Sequence, residues 1–108
     1  MANSFTQLYI QLVFAMDINS ILPNKATRER LEKYICGTVS RLQSKVYAIY
    51  CNPDHIHILI SIHPQVSISK LVNKIKSNSS KWINEEGMAN SKFNWQIGYG
   101  AFSYSNAN

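Results

Sequence analysis

Apolar and polar residues alternate along the stretch FTQLYIQLVF, Phe5 to Phe14. Leu8, Ile10, Leu12 and Phe14 share one face, and Tyr9, Gln11 and Val13 the other. A period of two over this length predicts a strand. The period then changes. From about Ala26 to Gln43, Leu31, Tyr34, Ile35, Val39 and Leu42 recur at helical spacing, while Arg28, Glu29, Arg30, Glu32 and Lys33 occupy the other side. Gly37 weakens this helix by about 1 kcal/mol relative to alanine. KVYAIYC, Lys45 to Cys51, alternates again and predicts a second strand. The tight turn Asn52-Pro53-Asp54 leads into PDHIHILISI, residues 53–62, a β-branched run bounded by Pro53 and Pro64. The second and third strands thus form a hairpin. A second helix is expected from near Ser67 to near Glu86, before Gly87, with Ile68, Leu71, Val72, Ile75, Trp82 and Ile83 as its apolar set. A fourth strand is expected near Phe93–Gln96, followed by a glycine-containing bend.

The order strand, helix, strand, strand, helix, strand predicts an α+β domain of the ferredoxin-like split βαβ (βαββαβ) type. In that arrangement an antiparallel sheet carries both helices on one face. Residues 1–108 read as a single domain, with no internal repeat and no low-complexity segment.

In the third strand Ile56, Ile58, Ile60 and Ile62 fall on one face, and His55, His57, Leu59 and Ser61 on the other. The isoleucine face belongs under the helices, which leaves both histidines on the open face. Same-face neighbours stand roughly 6.5 to 7 Å apart, so two imidazoles can converge on one ion or one phosphate. His63 shares their parity but lies about 20 Å beyond His57 on a continued strand, and reads as a strand-end residue beside Pro64.

Charge adds a partner class. The 108 residues hold 11 Lys and Arg against 6 Asp and Glu, a net charge of +5. A basic balance favours a polyanion such as nucleic acid, or an anionic membrane surface, and is also compatible with a merely basic soluble domain. On the second helix Lys70, Lys74, Ser77 and Lys81 fall within one narrow arc opposite the apolar set, and the three lysines are candidate DNA-phosphate contacts. The ordinary role of such an arc is a solvated face. No segment has the length and apolarity of a membrane span, and the apolar patch Leu8–Met16 has no basic segment before it, so a cytoplasmic protein with reduced Cys36 and Cys51 is expected.

Imidazole is a frequent ligand of metals, but two histidines alone leave a site open. Cys51 and Asp54, at either end of the same turn, are candidates for a third ligand, and Asp54 also for a partner that orients a histidine. Trp95, Tyr99, Phe102 and Tyr104 cluster near the end; such residues serve packing, dimer contact or stacking on unpaired bases.

FTQLYIQLVFA, PDHIHILISI, KIKSNSSKWIN and WQIGYGAFSYS, in this order from about Phe5 to Ser105, together resemble the insertion-sequence-200-like transposases. These are single-tyrosine members of the HUH nucleases, named for His, hydrophobic residue, His. The resemblance implies a ferredoxin-like homodimer that binds single-stranded DNA with hairpin ends. It implies a divalent ion, Mg²⁺ or Mn²⁺, held by the HUH histidines, here His55 and His57. It also implies strand cleavage by a tyrosine that forms a phosphotyrosine. In the family that tyrosine, and a glutamine one turn later that completes the metal site, stand on a helix after the GYGAFS block. Residues 1–108 stop after SYSNAN, so the resemblance implies a copy truncated before that helix and deficient in cleavage, with neither Tyr99 nor Tyr104 at the nucleophile's position. Two further readings stay open: a non-catalytic nucleic-acid-binding module of the same topology, and a metal-dependent phosphoesterase. The aromatic RNA-binding strand motif of the first and the paired HxS/T motifs of the second are both missing from the sequence.

Overall fold

In the computed structural model, residues 8–104 are described, the last without its side chain. The start of the expected first strand, Phe5 to Gln7, lies outside them. Strand β1 spans Tyr9–Ala15, helix α1 Lys25–Arg41, strand β2 Lys45–Cys51, strand β3 His55–Ser61, helix α2 Ile68–Glu85 and strand β4 Gly100–Tyr104, with a short 3-10 turn at Ile18–Ser20. The four strands form one sheet in the order β2-β3-β1-β4, antiparallel throughout. This is the ferredoxin-like split βαβ arrangement.

The helices begin where side chains satisfy orphan N–H groups. Asn24 Oδ1 accepts from the backbone N–H of Ala26 at 2.8 Å and of Thr27 at 3.2 Å, and Ser67 Oγ accepts from Lys70 at 3.1 Å. Gly87, at φ 64°, turns the chain away just beyond α2 in a conformation that glycine adopts without strain. Ile56, Ile58 and Ile60 have no exposed surface and pack with Ile10, Leu12 and Phe14 of β1 beneath Leu31, Ile35 and Val39 of α1 and Leu71, Val72 and Ile75 of α2. Both helices therefore cover one sheet face. Tyr34 of α1 stacks on Trp82 of α2, ring centroids 4.4 Å apart.

Two elements differ from the expectation. The fourth strand is Gly100–Tyr104, paired with Tyr9–Val13, not Phe93–Gln96. Phe93 is buried completely, and the Asn84 side chain takes both its backbone groups, accepting from its N–H at 2.7 Å and donating to its carbonyl at 3.2 Å. With those groups engaged the segment cannot join a ladder, and only an isolated bridge between Trp95 and Met16 remains. The alternation of the second strand is also broken. A bulge between Val46 and Ala48 turns Val46, Ile49 and Cys51 toward the core and leaves Tyr47, Ala48 and Tyr50 exposed.

Candidate functional site

The open sheet face is assembled by register. Tyr50, His57, Val13 and Gly100 form one rung across the four strands, and Ala48, Leu59, Gln11 and Phe102 the next. His55 stands beyond, opposite Ala15. The two imidazoles meet edge to face, centroids 4.9 Å apart at 74°, and both are half-buried.

Each ring is held through Nδ1. His55 Nδ1 lies 2.7 Å from Asp54 Oδ1, and this hydrogen bond holds the Asp54 carboxyl below its ordinary value. A carboxylate only accepts, so His55 Nδ1 carries the proton and Nε2 the lone pair. Asn52 Nδ2 donates to that Nε2 at 3.2 Å. His57 Nδ1 lies 3.3 Å from Gln11 Nε2. As placed, that amide nitrogen donates to His57 Nδ1; a half-turn of the carboxamide would instead let Gln11 accept from Nδ1–H and leave Nε2 with the lone pair that a metal-binding imidazole needs. His55 Nε2 carries its lone pair in the arrangement as it stands, engaged by the Asn52 N–H.

The candidates for a third ligand separate. Cys51 is buried on the core face, pairs with Ile56, and donates its thiol to the Asn52 carbonyl at 3.5 Å. Burial, reinforced by the Glu32 carboxylate, pushes that thiol up to about 12. Alternation carries it away from the histidines, so it does not complete their site. Asp54 orients His55. Among the described residues no group of three or more His, Cys, Asp or Glu side chains is placed to hold a metal ion. The donor set is thus two imidazoles on an accessible surface. It fits a divalent ion that keeps oxygen ligands from water or phosphate, and not a closed structural site.

Lys70, Lys74 and Lys81 are exposed on α2, whose buried side, Leu71, Val72, Ile75, Ser79 and Ile83, faces the sheet. The sheet and the helix separate them from the histidines. Lys76, which the arc does not contain, reaches back to the segment before β4 and donates from Nζ to the carbonyls of Gln96, at 2.8 Å, and Gly98. His63 accepts from the Gln65 N–H at 3.1 Å and takes no part in the site. The aromatic cluster divides as well. Trp95 packs edge-on against Phe14 and Phe93, whereas Phe102 and Tyr99 are exposed. The sequence reading did not single out Gln11, Tyr50 and Asn52. Gln11 had a legible signal, a lone amide on the open side of an apolar strand, but its partner His57 is 46 residues away and only register identifies it.

The fold and site thus define an α+β domain with a ferredoxin-like sheet and a histidine pair on its open face, and the comparisons supply the family. The family described as "Transposase IS200 like" matches residues 4–108. The chain belongs to that family. A candidate transposase from Deinococcus radiodurans R1, known as a crystal structure, superposes with a TM-score of 0.83 at 16% identity, over 98% of this chain and 85% of its own. A REP-associated tyrosine transposase bound to a REP hairpin superposes with a TM-score of 0.68 at 14% identity, over 99% of this chain and 62% of its own. At such identities these likenesses speak for the fold. A search of curated proteins gives no match.

Proposed function

We propose that residues 1–108 form one HUH-type transposase domain that binds single-stranded, hairpin-bearing DNA through the open sheet face, with a divalent ion, Mg²⁺ or Mn²⁺, at His55 and His57. The observation that carries this reading is the His55–His57 pair, oriented by Asp54 and Gln11, in a chain of the IS200-like transposase family. The hairpin held by the REP-associated relative supports the form of the DNA.

A divalent ion bound there supplies Lewis-acid polarisation of a phosphate oxygen. The protein's own part is orientation. Asp54 and Gln11 fix the two rings, and the isoleucine core beneath β3 fixes the strand that carries them. Lys70, Lys74 and Lys81, on the far side of the domain, would contact phosphates of a more distant part of the DNA. We read the domain as a homodimer and as cytoplasmic; among the described residues no helix is long and apolar enough to cross a membrane.

We further read this 108-residue chain as a binder without strand cleavage. Both described α-helices lie on the isoleucine face, so neither carries a tyrosine over the histidines. The test is incubation of the 108-residue protein with labelled hairpin-ended single-stranded DNA and Mn²⁺. Retarded complexes that weaken in the double variant His55→Ala/His57→Ala, with no covalent adduct on a denaturing gel, are expected. An adduct would overturn the binder reading, and its loss in Tyr50→Phe would name the nucleophile.

A further inference from the structure

Beside His57 the open face sinks into a depression of about 250 Å³, lined chiefly by Gln11, Ala48, Tyr50, His57 and Leu59. Ala48 and Leu59 give it apolar surface. Tyr50 brings an aromatic ring whose 63% exposure leaves it open to contact. Phe102, 58% exposed, stands across β1 on the same rung as Gln11 and Leu59. No acidic side chain lines the depression.

We infer that this depression takes one unpaired nucleobase of the bound strand, the base adjoining the phosphate at the histidines. The inference rests on the single-strand reading above and adds to it a base-binding subsite. Three features favour a base as the occupant. An exposed aromatic ring above an apolar surface suits stacking on a flat heterocycle. Gln11 uses one end of its carboxamide for His57, and whichever end that is, the other remains for a base edge. Finally, the step from His57 to Leu59 is one same-face interval of roughly 6.5 to 7 Å, comparable to one extended nucleotide. A phosphate at His55 and His57 therefore leaves its neighbouring base over Leu59, Gln11 and Tyr50. The net charge of +5 suits the same polyanion.

The experiment compares two probes on the 108-residue protein: a fluorescent 20-nucleotide oligothymidine, and the same sugar-phosphate chain made without bases. Wild type should bind the base-bearing strand more tightly. Tyr50→Ala should weaken that binding about tenfold, the scale of one stacked base, and leave the baseless strand unaffected. Tyr50→Phe should retain the wild-type preference. Circular dichroism on each variant reports folding, and 5-iodouracil crosslinking at Tyr50 on the wild type gives a second readout. If Tyr50→Ala keeps the preference for bases within twofold and no crosslink reaches Tyr50, the subsite is overturned while single-strand binding stands. If Tyr50→Ala instead shifts the sedimentation coefficient with the preference unchanged, the face is a self-contact and the inference falls. If wild type binds neither probe, the single-strand reading falls with it.

Discussion

Asn52 and Asp54, two residues apart on one turn, should act on metal affinity in opposite directions. Asn52 Nδ2 donates to His55 Nε2 at 3.2 Å, the atom left for a metal once Asp54 has taken Nδ1. An ion can reach Nε2 only after that hydrogen bond breaks. A neutral hydrogen bond of this kind contributes about 0.5–1.5 kcal/mol net, so Asn52→Ala should tighten Mn²⁺ binding roughly two- to tenfold. The turn itself should survive, because Asn52 is tied to the His55 carbonyl through its backbone N–H at 2.8 Å. Asp54→Ala should do the reverse. Partners that orient a metal-binding imidazole contribute about 10- to 100-fold in affinity, and the Asp54 side chain, 66% exposed, belongs at the lower end. Asp54→Asn keeps an acceptor for Nδ1–H without the charge and should fall between wild type and Asp54→Ala. The assay is titration of the free Mn²⁺ electron paramagnetic resonance signal at fixed pH and salt. An unchanged or weakened affinity in Asn52→Ala would refute the assignment of Nε2 as the ligating atom.

Across a salt series, Lys74→Ala and Lys81→Ala should each flatten the log–log slope of single-strand binding by roughly 0.7, and an unchanged slope in both removes α2 from the DNA surface. Cys51, its thiol pushed up to about 12, should react with iodoacetamide at pH 8 about 1000-fold more slowly than an ordinary thiol, as followed by mass spectrometry of the native protein. The raised value also has a stability consequence: its contribution is complete below the unfolded thiol's value and is lost as pH rises toward 12, so unfolding midpoints should fall over that alkaline window. Ser79, fully buried, accepts from Trp95 Nε1 at 3.0 Å. Ser79→Ala should destabilise by about 1–2 kcal/mol, a loss of several degrees in Tm, and should cost less in a Trp95→Phe background, where no indole N–H is left unpaired and the hydroxyl's bond to the Ile75 carbonyl is what remains to be lost.

Much of this domain was legible from local pattern. The periodicity of Leu31, Ile35 and Val39 and of Leu71, Val72 and Ile75 placed both helices to within a few residues, because an amphipathic helix writes its buried face into its own spacing. Strict alternation placed His55 and His57 opposite the isoleucines for the same reason, since a strand's two faces are set by parity alone. The fourth strand was not legible. Phe93 and Trp95 alternate like strand residues, yet an asparagine on α2 engages Phe93's backbone and a buried serine holds Trp95's indole. Local pattern carries no trace of those partners.

Local periodicity assigned residue types to the faces of strands and helices, and through them the class of the fold and the histidine pair. Tertiary structure decided what those faces meet. The bulge after Val46 reversed the parity of β2, burying Cys51 and bringing Tyr50 onto the rung of His57. Pairing of β1 with β3 set Gln11 beside His57, and the packing of α2 put the lysine arc on the side away from both. The physical reason is one of range. Periodicity is set by backbone geometry over a few residues, whereas register, bulges and the partners of single polar side chains depend on segments far apart in the chain, whose pairing is settled only when the core closes.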